Sequence, residues 1–132
     1  MTVRQSRFSI QSILVIDAIT CAAMAALLLL IPGLVAGLTQ IAPSVLFWAG
    51  LILVPVAVFM MVIARSLRPP AWTVQVVIAG NVLWVLASVI LPLSGWIAPN
   101  ALGWTFLLLQ AAIVTVFAWL EWTAIQPMMA TD

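Results

Sequence analysis

Four apolar runs divide the chain, at residues 10–36, 44–64, 73–93 and 101–122. Crossing a hydrocarbon core takes about 20 helical residues, and each run reaches that length. The runs are continuous rather than alternating in steps of two, so they predict helices and not barrel strands. The connections, at 37–43, 65–72 and 94–100, are short, which makes successive helices antiparallel neighbours. The expected fold is an all-α membrane protein, a four-transmembrane-helix antiparallel bundle forming a single domain over residues 1–132.

Composition sharpens this reading. Hydrophobic residues make up 67% of the 132 and charged residues 5%, and mean hydropathy is +1.34. Soluble domains are roughly half apolar and a quarter charged, so the expected surroundings are a lipid bilayer. A net charge of +1 gives no reason to expect a nucleic-acid partner. Cys21 is the only cysteine and there is no histidine or tyrosine. A disulfide within the chain and a Cys/His metal cluster are therefore both excluded, and Cys21 reads as a small packing residue. No serine has a histidine to activate it and no glycine-rich loop could cradle a phosphate, so the expectation is a non-enzyme without cofactor or metal.

The few charges set an expected orientation. Arg4 and Arg7 precede the first run, Arg65 and Arg68 lie between the second and third, and the other two connections carry no charge. The positive-inside rule then places both ends in the cytoplasm. Tryptophan fits this layout, with Trp48, Trp96 and Trp104 at the outer boundary and Trp72, Trp119 and Trp122 at the inner one. Trp84 alone falls at mid-span. The N-terminal segment has the outline of a signal peptide, but Asp17 interrupts its apolar region and the run extends to Ala36, so the expectation is a retained first span.

A short internal similarity is visible. The segment from Pro43 to Leu53 aligns with that from Pro99 to Leu109, sharing Pro, Leu, Trp, Leu and Leu in register. Each marks the start of an inward-running helix, with Ser44 and Asn100 suited to the N-cap and the prolines just outside it. Two hairpins of like orientation would form a parallel repeat, whereas convergent end chemistry would give the same residues without duplication.

Polar residues inside the runs carry the candidate chemistry. Asp17 sits in LVIDAIT, about 15 Å along the helix from Arg7. A carboxylate at that depth is costly, so Asp17 is expected to face the bundle, protonated or paired. Asn81 lies at matching depth and can donate to it, while Arg65 could turn inward from the rim. Thr20, Gln110 and Thr115 complete a possible intramembrane polar layer. Such residues commonly join membrane helices through hydrogen bonds, which is the structural alternative to a functional site. Glu121, between Trp119 and Trp122, is expected at the cytoplasmic edge, solvated or paired with Arg65 or Arg68. Small residues, Ala18, Cys21, Ala22 and Ala25 in the first run and Ala79, Gly80, Ala87 and Ser88 in the third, predict close helix approach.

The stretch Gly80-Asn81-Val82-Leu83-Trp84-Val85-Leu86-Ala87-Ser88, with Asp17, the paired Pro-x-x-Leu-x-Trp segments and Glu121, resembles the small uncharacterised four-helix integral membrane proteins of bacteria. That resemblance brings no activity with it but implies a place in a bacterial inner membrane. Four short spans with one acid in the first also resemble, in layout only, the small multidrug resistance transporters, a likeness that implies a proton-exchanging role for Asp17. The expected function is a non-enzymatic accessory or interaction protein whose partners are the lipid bilayer and another membrane protein or a second copy of itself. The alternative is a small proton-coupled transporter centred on Asp17.

Overall fold

The computed structural model describes residues 9–130. Arg4 and Arg7, which support part of the expected orientation, lie outside the described residues. Within them, all regular structure is helical: α1 (Ile10–Leu30), α2 (Pro32–Thr39), α3 (Pro43–Ala64), α4 (Ala71–Leu93) and α5 (Ala101–Ala130). Of these, α1, α3, α4 and α5 are long and apolar enough to cross a membrane. The four-span, multi-pass bundle is the observed architecture.

Its boundaries differ from the expected ones in three places, each for a local reason. The run 10–36 is not one helix. Pro32 disfavours helical backbone at the residue before it, and Ile31 takes φ −133° and ψ 48°, separating α1 from the short α2. Pro43 is the first residue of α3 rather than lying outside it, so Ala42 takes the cap position and Ser44 does not. Proline suits that first position because its missing N–H has no helical partner there anyway. At the other repeat segment the expectation holds: Asn100 Oδ1 accepts from the Gly103 N–H at 2.8 Å. Finally, α5 does not stop at Trp122 but continues to Ala130, about two further turns.

The helices pair as two hairpins. α1 lies closely along α3 and α4 closely along α5, whereas α3 and α4 touch only sparsely although they follow one another in the chain. Their short connection does not make them close neighbours. The α1–α3 contact is tight at Gly50, where an added Cβ would stand 3.0 Å from Leu28 Cβ and from Leu29 Cγ. Ala18, Cys21 and Ala25 are buried in the core as their spacing suggested, but Ala22 is exposed. On α4 the small-residue expectation holds only at Ser88, which is buried. Ala79, Gly80 and Ala87 are exposed, and a Cβ at Gly80 would meet nothing. Small residues here leave space instead of allowing contact.

Two clasps hold the ends together. Gln11 Nε2, at the start of α1, donates to the Leu67 carbonyl at 2.7 Å and the Ser66 carbonyl at 3.3 Å, fixing the α3–α4 connection. This end carries Arg65 and Arg68. At the far end, Asn100 ties the tip of α2 to the start of α5: its N–H donates to the Thr39 carbonyl at 3.1 Å and its Nδ2 to the Leu38 carbonyl at 3.0 Å. Gly103 is required there, because a Cβ would stand 2.6 Å from Pro99 Cβ and collide with the Thr39 carbonyl oxygen.

Candidate functional site

Asp17, Asn81 and Glu121 converge from three helices. Counted from the arginine-bearing end, Asp17 lies about two turns into α1, Asn81 about three turns into α4 and Glu121 between two and three turns inside the end of α5. The three are thus at one level, about 10 to 15 Å deep by helical rise. All are buried, Asp17 at 1% exposure and Glu121 at 0%.

The Asn81 amide joins the two acids. Its Nδ2 donates to Asp17 Oδ2 at 3.1 Å and to Glu121 Oε1 at 2.9 Å. Both neighbours being carboxyl oxygens, the nitrogen must face them, which fixes the orientation of the amide. Cys21, one turn along α1, points its thiol at Asp17 Oδ1 across 3.7 Å. Glu121 Oε2 is fully buried and has no hydrogen-bond partner among the described atoms. Two buried carboxyl groups thus share one amide donor in an otherwise apolar interior.

Glu121 therefore departs from its expected place. It is neither solvated nor paired with Arg65 or Arg68, because α5 runs on to Ala130 and carries it inward from the boundary. With it, Asp17 has a second carboxyl at its own depth instead of one at the cytoplasmic edge. Arg65 also departs from expectation. It closes the end of α3, is exposed, and forms no ion pair with Asp17 among the described residues, which follows from Asp17 lying about two turns below the rim. Thr20 and Thr115 are each spent on their own helices, Thr20 on the Ile16 carbonyl at 2.9 Å and Thr115 on the Ala111 carbonyl at 2.8 Å. Thr115 takes no part in the cluster.

Gln110 belongs to a second polar layer further from the arginine-bearing end, about three turns beyond Glu121 along α5, where it meets Trp84 and Ser88 one to two turns beyond Asn81 on α4. It accepts from the Trp84 indole N–H, and its Nε2 donates to Ser88 Oγ at 2.7 Å and to the Leu107 carbonyl at 2.9 Å. Ser88 in turn donates to the Trp84 carbonyl at 2.8 Å. This layer locks α4 to α5, whereas the Asp17–Asn81–Glu121 layer joins both of them to α1.

Both layers edge one cavity of about 560 Å³. Asp17, Cys21 and Asn81 line one end of it, Trp84, Ser88 and Gln110 one side, and Ile41 and Ile97 the far end, while the remainder, Thr20 and Trp48 apart, is apolar and mostly aliphatic. The cavity exists because α3 and α4 stand apart and because Ala49, Gly80 and Ala87 put little volume into the gap. It opens sideways through that gap: Trp48, Ile52 and Leu83 line it and are more than half exposed. A smaller groove of about 290 Å³ between Pro55 and Phe59 on α3 and Val76 on α4 shares Val56 and Gly80 with it. In a bilayer this mouth faces acyl chains rather than water. Among the described residues no three His, Cys, Asp or Glu side chains are arranged to hold a metal ion. Neither a family model, nor a curated protein, nor a solved structure matches this chain.

Proposed function

We propose that the protein is a non-enzymatic binding protein of a bacterial inner membrane, with both ends in the cytoplasm, which takes an apolar molecule from the bilayer through the gap between α3 and α4. The observation that carries this reading is the sideways-opening cavity of about 560 Å³, mostly apolar in lining, with Asp17 and Asn81 at one end. Its size falls within the range of about 300 to 1,000 Å³ usual for small-molecule sites, and an apolar lining with few polar groups is their common composition. The placement of Arg65 and Arg68 supports the orientation. Passing a bound molecule to another membrane protein, or to a second copy of this chain, is the accessory role that such a site would serve.

The test uses Trp84, whose ring lines the cavity. Titrating 1-bromohexadecane into the protein in lipid nanodiscs is expected to quench fluorescence with a saturable component. That component should shrink in Trp84→Phe to the share carried by Trp48 at the mouth, and vanish in Gly80→Phe, which places a ring in the open space beside α4. Linear quenching identical in all three proteins would refute the reading.

A second reading, a proton-coupled transporter, is favoured by the buried Asp17–Glu121 pair, since membrane-embedded carboxyls commonly serve proton movement. Proton uptake by proteoliposomes that depends on a supplied substrate and disappears in Asp17→Asn would select it over a binding protein.

A further inference from the structure

The head of the ligand can be read from what the cavity wall leaves unpaired, on the basis of the binding reading above. Every hydrogen-bond donor near the polar end is already spent. Thr20 donates to the Ile16 carbonyl, Cys21 points at Asp17, and Ser88 donates to the Trp84 carbonyl. Trp84 gives its indole N–H to Gln110, and Gln110 gives its amide hydrogens to Ser88 and Leu107. The Asn81 Nδ2 serves both carboxyl groups.

Acceptors remain. Asn81 Oδ1 has no partner among the described residues and is not sealed from the cavity it lines, and Asp17 lines the same end with both oxygens carrying further lone pairs. A carboxyl oxygen can accept more than one hydrogen bond, and an amide oxygen two. Glu121 is hidden behind Asn81 and does not reach the wall. The end of the cavity is therefore a patch of lone pairs in an apolar medium with no free proton facing out.

We propose that the cavity takes a hydroxyl-headed lipid, an apolar body carrying one neutral O–H that donates to Asp17 and Asn81. An ether, ester or ketone head would set lone pairs against lone pairs, leaving polar groups on both sides unmatched. An ammonium head would have to be stripped of water to enter, and of the titratable groups around the site, Asp17 and Cys21 on α1 and Glu121 on α5, the one that lines the wall with a carboxyl, Asp17, already holds the Asn81 amide and the Cys21 thiol. A neutral hydroxyl brings one donor to the surplus acceptors and costs little to desolvate. Sites built around a substrate hydroxyl discriminate strongly against analogues lacking it.

Competition against 1-bromohexadecane at equal chain length decides the matter, using hexadecan-1-ol, its methyl ether and hexadecylamine, each titrated in nanodiscs with the wild-type protein. The alcohol is expected to displace the bromide at a concentration at least about tenfold below that of the ether, and the amine to be no better than the alcohol. The gap between alcohol and ether should close in Asp17→Leu/Asn81→Leu, where the acceptors are gone. If that variant does not fold, the wild-type ratio alone decides. Equal potency of alcohol and ether overturns the proposal while saturable bromide binding leaves the binding reading intact. An amine more than tenfold better than the alcohol, releasing a proton as it binds, overturns it in favour of cation exchange. Absence of any saturable bromide signal is the separate failure of the binding reading itself.

Discussion

Replacing Asn81 by leucine removes the one amide that bridges two buried carboxyl groups, and the effect can be sized from the bonds it makes. Asp17 Oδ2 and Glu121 Oε1 each lose a donor, at 3.1 Å and 2.9 Å. Side-chain hydrogen bonds between membrane helices average about 0.6 kcal/mol, with a maximum near 1.7. That sets a floor of about 1 kcal/mol for the pair. Orphaning a buried acceptor costs about 1 to 3 kcal/mol in water-soluble proteins, which raises the expected loss for Asn81→Leu to about 1–3 kcal/mol. The more decisive quantity is the coupling to Glu121. When the carboxyl is removed as well, in Asn81→Leu/Glu121→Leu, one orphan disappears and the double variant should be less damaged than the two single losses predict, by about 1 kcal/mol. Asp17→Asn should remain folded, since an amide still bonds and carries no charge. The assay is reversible unfolding in mixed micelles by increasing sodium dodecyl sulfate, followed by helical circular dichroism. Independent contributions, additive to within about 0.3–0.5 kcal/mol, would refute the shared cluster.

Two further predictions concern other parts of the molecule. Gly103→Ala should destabilise the far end, because its Cβ runs into Pro99 and the Thr39 carbonyl, whereas Gly80→Ala meets nothing and should be neutral or slightly stabilising through lower chain entropy; thermal unfolding of both in one detergent checks the contrast, and equal effects would contradict the packing. Reporter fusions at Arg68 and after Asp132 should report cytoplasm and a fusion at Gly95 the outside; an external reporter after Asp132 would overturn the proposed orientation.

Much of the bundle was legible because span length and apolar continuity are local properties. The Asp17–Asn81 bond followed from depth alone, counted along two straight helices. Glu121 was misplaced because the flanking tryptophans were read as the end of the span, although no glycine or proline near Trp122 stops the helix. A usable signal was present: Glu121 lies eleven residues after Gln110, about three turns, so the two share a face of α5. A residue on the face that carries Gln110 inward does not belong in the headgroups. The link between Trp84, Gln110 and Ser88 was not foreseen, because pairing across two helices depends on their relative rotation. The cavity had no local signature at all. Ala49, Gly80 and Ala87 favour a close contact or an opening equally well, and only the separation of α3 from α4 decides which.

That separation gives the Asp17–Asn81 bond a second meaning. The backbones of α1 and α4 do not touch, and the first hairpin meets the second through little besides a light α1–α5 contact, the sparse α3–α4 one, the Gln11 clasp at one end and the Asn100 clasp at the other. The polar cluster is the rivet of this seam at mid-depth. Any guest that draws Asp17 away from Asn81 slackens the rivet as it arrives, and any bilayer stress that tilts the hairpins apart pulls on the same bond. Occupancy of the chamber and the gape of its lipid-side mouth are then one mechanical coordinate, read out at a single amide.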